Sequence, residues 1–194
     1  MPLVLILIVA VVLVGWLVAT YNFFVSSKAR IKASVQEIGN QLKRQAELIP
    51  NLEESAKGYL KHEKGIFEKL AEVRRAVVSA IKSGNINTMA EASEKIGSLL
   101  PSIQVAVESN PEIKGSGVVT RLMDELRDTS DKVMYARRTL IDLTADFNVK
   151  RASFPTNLVA NMFGFEEQKG LATAGSGEHM EVSESETKVP KVKL

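Results

Sequence analysis

The sequence contains no cysteine, only two histidines and few aromatic residues. Without cysteine the chain cannot form a disulfide, a thiolate metal site or a cysteine nucleophile. The net charge of +2 gives no strong positive field of the kind that attracts nucleic acid. Charge is also missing from the start of the chain, where Lys28 has the first charged side chain. Disulfide-rich, thiol-dependent and general nucleic-acid-binding classes are therefore disfavoured.

The uncharged start is occupied by a run of Leu, Ile and Val from Leu3 to Val18, which apolar residues extend to Phe24. A helix of about 20 apolar residues crosses the hydrocarbon core of a bilayer. Trp16 and Tyr21 stand toward the far end of the run, together with Phe24, where aromatic rings favour the membrane–water boundary. The run therefore predicts a single transmembrane helix.

A cleaved secretory signal is the alternative reading of this segment. Such a signal begins with a basic residue and ends in a small-x-small cleavage site, and neither feature is present here. Basic residues follow the run at Lys28, Arg30 and Lys32. By the positive-inside rule, we expect the amino terminus outside and the body of the protein in the cytoplasm.

Behind the anchor, apolar residues recur at steps of three and four, the spacing of one face of an α-helix. The clearest stripe consists of Val119, Leu122, Leu126, Thr129, Val133, Ala136, Leu140, Leu143 and Phe147. We predict an all-α fold, in which the transmembrane helix continues into an antiparallel bundle of about four long helices.

Prolines and caps predict the helix boundaries. Pro50 should stop the first helix, because the residue before a proline is pushed out of the helical region. A second helix should open at Asn51 or just after and form a hairpin with the first. A third should start near Thr88, which has capping-box spacing to Glu91, and Pro101 should kink or split it.

Composition divides the chain into a transmembrane anchor at 1–27, a helical bundle at 28–165 and a tail at 166–194. The bundle should close with a short helix from Pro155 to Met162, after a corner at Ser153. The tail is rich in Gly, Glu and Lys and lacks apolar periodicity, so we expect it to be mobile.

The histidines offer no active site. His62 has no second histidine at helical spacing, and Tyr59 stands where a di-iron bundle would need glutamate. His179 lies in the predicted tail. No catalytic, metal-ligating or cofactor-binding residue is predicted, and a non-enzymatic protein is favoured over an enzyme with scattered carboxylates.

Several short stretches resemble the LemA family of bacterial membrane proteins. They are Tyr21-Asn22, Leu42-Lys43-Arg44, Leu48-Ile49-Pro50-Asn51-Leu52, Lys57-Gly58-Tyr59, His62-Glu63, Ala136-Arg137-Arg138, Phe147-Asn148, Ser153-Phe154-Pro155, Asn157-Leu158-Val159-Ala160 and Phe163-Gly164-Phe165. The resemblance implies an amino-terminal span followed by a helical bundle, with no established enzymatic activity. The chain departs from the family at 139–141, where Thr-Leu-Ile replaces the usual Tyr-Asn pair.

The family motif at 48–52 is interpreted as an interhelical corner, in which Leu48 and Leu52 close one end of the bundle and Asn51 caps the next helix. The residues Lys28, Arg30 and Lys32 are candidates for contact with anionic lipid, and setting the topology is the equal alternative.

We hypothesise a single-pass protein of the bacterial inner membrane that acts as an interaction or scaffold module. Its partner would be another protein or a second copy of itself, and neither nucleic acid nor a small-molecule substrate is expected. The alternative is a membrane-organising protein that engages anionic lipid through its basic juxtamembrane helix.

Overall fold

The computed structural model describes residues 2–57, 64–109 and 116–171. Five helices occupy most of these ranges: α1 (Pro2–Ala56), α2 (Lys64–Ser83), α3 (Ile86–Ser109), α4 (Gly117–Ala152) and α5 (Thr156–Met162). The described residues contain no strand. The predicted all-α class, with one long apolar helix leading into packed helices, is confirmed.

Two different environments divide the 55 residues of α1. From Leu3 to Ala19 the side chains are exposed or half-buried, and burial begins at Thr20. The buried positions from there on are Thr20, Phe24, Ser27, Ile31, Ile38, Leu42, Gln45, Ala46, Leu48, Ile49, Leu52 and Ala56. At 1.5 Å per residue, the helix projects about 25 Å beyond the bundle before its packing starts.

The prediction that the first helix ends at Pro50 is wrong. The helix continues through Pro50 to Ala56, so residues 48–52 lie inside α1 rather than at an interhelical corner. Proline inside a helix costs about 3 kcal/mol, because it removes a backbone hydrogen bond and crowds the preceding turn. Ile49 and Leu52 are each 1% exposed, and burying such a side chain stabilises by about 1.5 to 3 kcal/mol. Burial on both sides of Pro50 outweighs the local cost.

Two further boundaries differ from the prediction. Asn51 is exposed within α1 and does not cap a second helix, and the next described helix begins at Lys64. α3 continues through Pro101 without the predicted split. Leu99 and Ile103 on either side of that proline are buried, so core packing again keeps the helix continuous.

A tight turn joins α2 to α3. Gly84 has a φ of 64°, in the left-handed region that glycine adopts without steric cost. Asn85 Oδ1 accepts a hydrogen bond from the Asn87 backbone N–H at 2.9 Å, which satisfies a donor that the helix itself leaves unpaired. This cap starts α3 at Ile86, slightly before the predicted start at Thr88.

The main packing partner of α1 is α4, and the two helices run antiparallel. The Phe24 ring contacts the Phe147 ring with centroids 5.2 Å apart, and Gln45 Nε2 donates a hydrogen bond to Ser130 Oγ at 2.8 Å. In the direction in which residue numbers rise along α1, they therefore fall along α4. The expected hairpin of the first two helices is the lesser interaction, since α1 packs less extensively against α2.

The predicted stripe of α4 is confirmed as core. Its buried members are Val119, Leu126, Thr129, Val133, Ala136, Leu140 and Phe147, and its half-buried members are Leu122 and Leu143. The stripe predicted the core correctly because no proline or glycine between Val119 and Phe147 interrupts the 3.6-residue period.

Beyond α4 the chain reverses at 153–155, as predicted, and returns alongside the same helix after α5. Asn148 stabilises this returning segment through two hydrogen bonds to the Gln168 backbone. Its Nδ2 donates to the Gln168 carbonyl, and its Oδ1 accepts from the Gln168 N–H, both at 2.9 Å. Leu171 is partly buried against the core. Residues 166–171, assigned to the mobile tail by composition, thus contact the bundle through hydrogen bonds that periodicity does not reveal. Residues 172–194 lie outside the described residues.

Leu140→Ala should lower the free energy of unfolding by about 2 to 5 kcal/mol, because it leaves a cavity at a side chain that is 1% exposed. Ile141→Ala is the matched control, since Ile141 is 40% exposed, and it should cost less than about 1 kcal/mol. Unfolding of the full chain in detergent, followed by helical circular dichroism, measures both. Equal losses would mean that this face of α4 is not the core.

Pro50→Ala should raise the free energy of unfolding by about 1 to 3 kcal/mol, because alanine regains a helical hydrogen bond and relieves crowding. Pro101→Ala, inside α3, should act in the same direction. The same unfolding measurement applies. A clear loss of stability in the Pro50 variant would show that a break at this position is needed for packing.

Candidate functional site

The residues predicted to span the membrane lie on the part of α1 that leaves the bundle. Leu3, Trp16 and Val18 are exposed, and among the described residues α1 is the one helix long and apolar enough to cross a membrane. Tyr21 lies where the helix enters the bundle and remains partly exposed. Phe24 differs from the other four, because it is fully buried in the core.

Phe24 belongs to an aromatic cluster, formed with Tyr21, Phe147, Phe163 and Phe165. The Phe24 ring centroid lies 5.2 Å from the Phe147 ring centroid and 4.9 Å from that of Phe165. The Tyr21 ring lies 4.9 Å from Phe163 in an edge-to-face arrangement. Each such pair contributes about 0.5 to 1.5 kcal/mol beyond its burial. The aromatic cluster joins α1, α4 and the segment after α5 at the end of the bundle nearest the span.

Polar contacts and a turn hold the aromatic cluster in place. Arg151 Nε donates a hydrogen bond to the Phe165 carbonyl at 2.8 Å. Gly164 has a φ of 67°, which lets the chain turn between the two phenylalanines of the cluster. Lys150 Nζ lies 5.5 Å from the Phe23 ring centroid, within cation–π range. The basic end of α4 is thereby fixed beside the point where α1 emerges.

The candidate lipid-contacting residues follow the aromatic cluster along α1. Lys28, Arg30 and Lys32 are exposed, and none of them pairs with an acidic side chain among the described residues. At about 100° of helix per residue, Lys28 and Lys32 share one side of α1 and Arg30 lies on another. The three charges thus lie on two sides of the helix rather than converging on one ligand, an arrangement that suits a surface of many headgroups.

The family motif at 48–52 contributes to the core rather than to a ligand site. Leu48, Ile49 and Leu52 are buried, Pro50 is half-buried and Asn51 is exposed. These residues pack the end of α1 that is farthest from the span. A structural requirement accounts for the three apolar members of the motif.

A basic cleft lies near this far end, between α1 and α2. Its volume is about 540 Å³, and its charged lining consists of Glu53, Arg74, Arg75 and Lys82. One carboxylate oxygen of Glu53 is buried without a hydrogen-bond partner among the described residues. Residues 58–63, which include His62, lie outside the described residues. The described part contains no group of three acidic or histidine side chains placed to hold a metal ion.

Sequence patterns missed the aromatic cluster as a unit, because its members are spread from Tyr21 to Phe165 and only the fold brings them together. The available signal was the resemblance itself, which rests partly on the stretches at 21–22, 147–148 and 163–165. In the structure these stretches converge on one end of the bundle.

None of the curated proteins compared with this chain matches it. The model of the LemA family matches residues 34–193. The matched region includes the bundle part of α1 from residue 34 and all of α2 to α5. On this match, which extends over most of the sequence, the chain belongs to the LemA family.

Proposed function

We propose that this protein is a non-enzymatic interaction or scaffold module, held at the bacterial inner membrane by α1 with its bundle in the cytoplasm. The observation that carries the proposal is the continuity of α1, whose exposed apolar part and buried bundle part form one helix. The bundle part from Thr20 to Ala56 is about 55 Å long at 1.5 Å per residue. A partner bound to the bundle would therefore be held at a defined height above the membrane.

The proposed orientation rests on the charges that flank the apolar part. Lys28, Arg30 and Lys32 follow it within a few turns, and residues 1–27 contain no charged side chain. The positive-inside rule retains such a basic flank in the cytoplasm. All three side chains are exposed in the structure, so their charge is available to set the topology.

A surface on α4 supports the interaction role. Met134, Arg138 and Ile141 follow one another at steps of four and three, and Tyr135 stands beside them. Tyr135 is 75% exposed and Met134 is 63% exposed. Tyrosine, methionine and arginine are enriched at protein–protein interfaces. We propose this α4 surface as the place where a protein partner or a second copy binds.

The second candidate function is organisation of anionic lipid by the juxtamembrane helix. It is favoured by Lys28, Arg30 and Lys32, which form no ion pair in the described part of the chain. Each such charge contributes about 1 kcal/mol when close to an anionic surface. This function predicts that the protein binds anionic lipid and that the binding weakens as the salt concentration is raised. A protein-binding module would show no such dependence.

The topology can be measured with reporters. A reporter fused after Leu194 should be active in the cytoplasm, and a tag at Met1 should be accessible from outside, because the basic flank stays inside. Protease added to intact cells should leave the bundle uncut. Removal of the bundle under these conditions would reverse the proposed orientation.

The α4 surface can be tested by co-purification from membranes in mild detergent. Met134→Ser with Tyr135→Ser should remove a specifically bound partner or copy, because exposed apolar side chains at an interface centre carry much of the affinity. Val105→Ser is the control, since Val105 is 65% exposed on α3. Unchanged recovery of the partner with the double variant would rule out this surface.

A metal bound stoichiometrically to the purified chain would argue against a non-enzymatic role.

A further inference from the structure

The turn after α4 and the outer face of α5 expose a patch of large apolar side chains. We call Phe154, Leu158, Met162 and Phe163 the α5 patch. Phe154 is 80% exposed, and the other three are also exposed. On the opposite face of α5, Val159 and Ala160 are buried in the bundle. The helix thus carries apolar side chains on both faces, and the bundle buries those of one face.

The α5 patch lies at the end of the bundle where α1 emerges. Phe147 contacts Phe24, and α4 continues antiparallel to α1 for five residues more, to Ala152. At 1.5 Å per residue, α4 therefore ends about 7 Å closer to the span than Phe24, roughly level with Ala19. Phe163 touches Tyr21 at the same level, with ring centroids 4.9 Å apart.

That level coincides with the boundary of the bilayer. A hydrocarbon core about 30 Å thick takes up about 20 residues of helix, so a span that starts near Leu3 ends near Tyr21 or Asn22. The patch is therefore at the depth where interfacial helices bury their apolar face, about 5 to 10 Å into the boundary between headgroups and acyl chains.

The charges around the α5 patch are also compatible with a position at the membrane surface. Between Phe147 and Phe165 the only charged residues are Lys150 and Arg151. Acidic residues resume at Glu166, where the chain has turned back along α4. A basic segment with an apolar tip is complementary to an anionic bilayer surface.

We propose that the α5 patch is a second membrane contact, inserted into the bilayer interface beside the span. This inference rests on the proposed anchoring by α1 and adds a contact that fixes the tilt and rotation of the bundle. Two attachment points, one spanning and one interfacial, prevent the bundle from swivelling about the α1 axis. The bilayer is favoured over a second copy as the occupant, because the patch is continuous with the lipid-facing part of α1.

The absence of native cysteine permits a direct depth measurement. Phe154→Cys, Leu158→Cys and Met162→Cys are each labelled with the environment-sensitive fluorophore NBD in the full chain. The variants are reconstituted into vesicles of phosphatidylcholine and phosphatidylglycerol, with and without doxyl-labelled lipid as quencher. Circular dichroism confirms that each labelled variant keeps the parent helix content.

Two controls define the scale. Val9→Cys, in the middle of the apolar part of α1, reports full insertion. Met134→Cys reports a position outside the membrane. The Met134 side chain is 63% exposed on α4, and it lies 13 residues before Phe147, about 20 Å farther from the membrane. The labels at Phe154, Leu158 and Met162 should be quenched most by doxyl groups near the headgroup end of the acyl chain, and the label at Val9 most by doxyl groups near the chain end. The label at Met134 should keep its fluorescence with both quenchers.

The outcomes separate this inference from the anchoring on which it depends. Quenching at Val9 with none at the three patch positions would overturn the second contact and leave the anchor standing. No quenching at Val9 would overturn the anchor and the inference together. A blue-shifted but unquenched label on the patch would also overturn the inference, by showing that protein covers it.

Discussion

The antiparallel packing of α1 on α4 is the interaction on which the rest of the structure depends. The Phe24–Phe147 ring contact at one end and the Gln45–Ser130 hydrogen bond farther along set the register of the two helices. Because α1 also continues outward as the candidate membrane span, this register determines the height of every other element above the bilayer. The α2–α3 hairpin packs at the far end, and α5 closes the near end.

The two ends of the bundle differ in chemistry. The near end combines the aromatic cluster, the α5 patch and the basic residues around Lys28 and Lys150, which together match a membrane boundary. The far end contains the apolar family motif and a cleft with arginines at 74 and 75. Between the ends, the exposed α4 surface around Tyr135 is available to a partner. The proposed anchoring and partner-binding surfaces thus occupy separate parts of the bundle.

The structure gives physical reasons for the residues on which the family resemblance rests. Phe147 packs on Phe24, Asn148 pairs with the backbone of Gln168, and Gly164 makes the turn between two cluster phenylalanines. The departure at 139–141 lies on α4, where Leu140 is part of the core and Ile141 borders the exposed α4 surface. A substitution at these positions would therefore affect core packing and the proposed interface together.

The sequence by itself determined the features that depend on local periodicity and composition: the apolar run at the start of α1, the all-α class, the α4 stripe and the short helix that ends at Met162. It misplaced the end of α1, because the cost of Pro50 is local whereas the burial of Ile49 and Leu52 that outweighs it comes from other helices. Only the tertiary structure decided that α1 pairs chiefly with α4 and that residues 166–171 belong with the bundle. Contacts between Tyr21 and Phe163 join distant parts of the chain, and no periodicity within one segment encodes such a meeting.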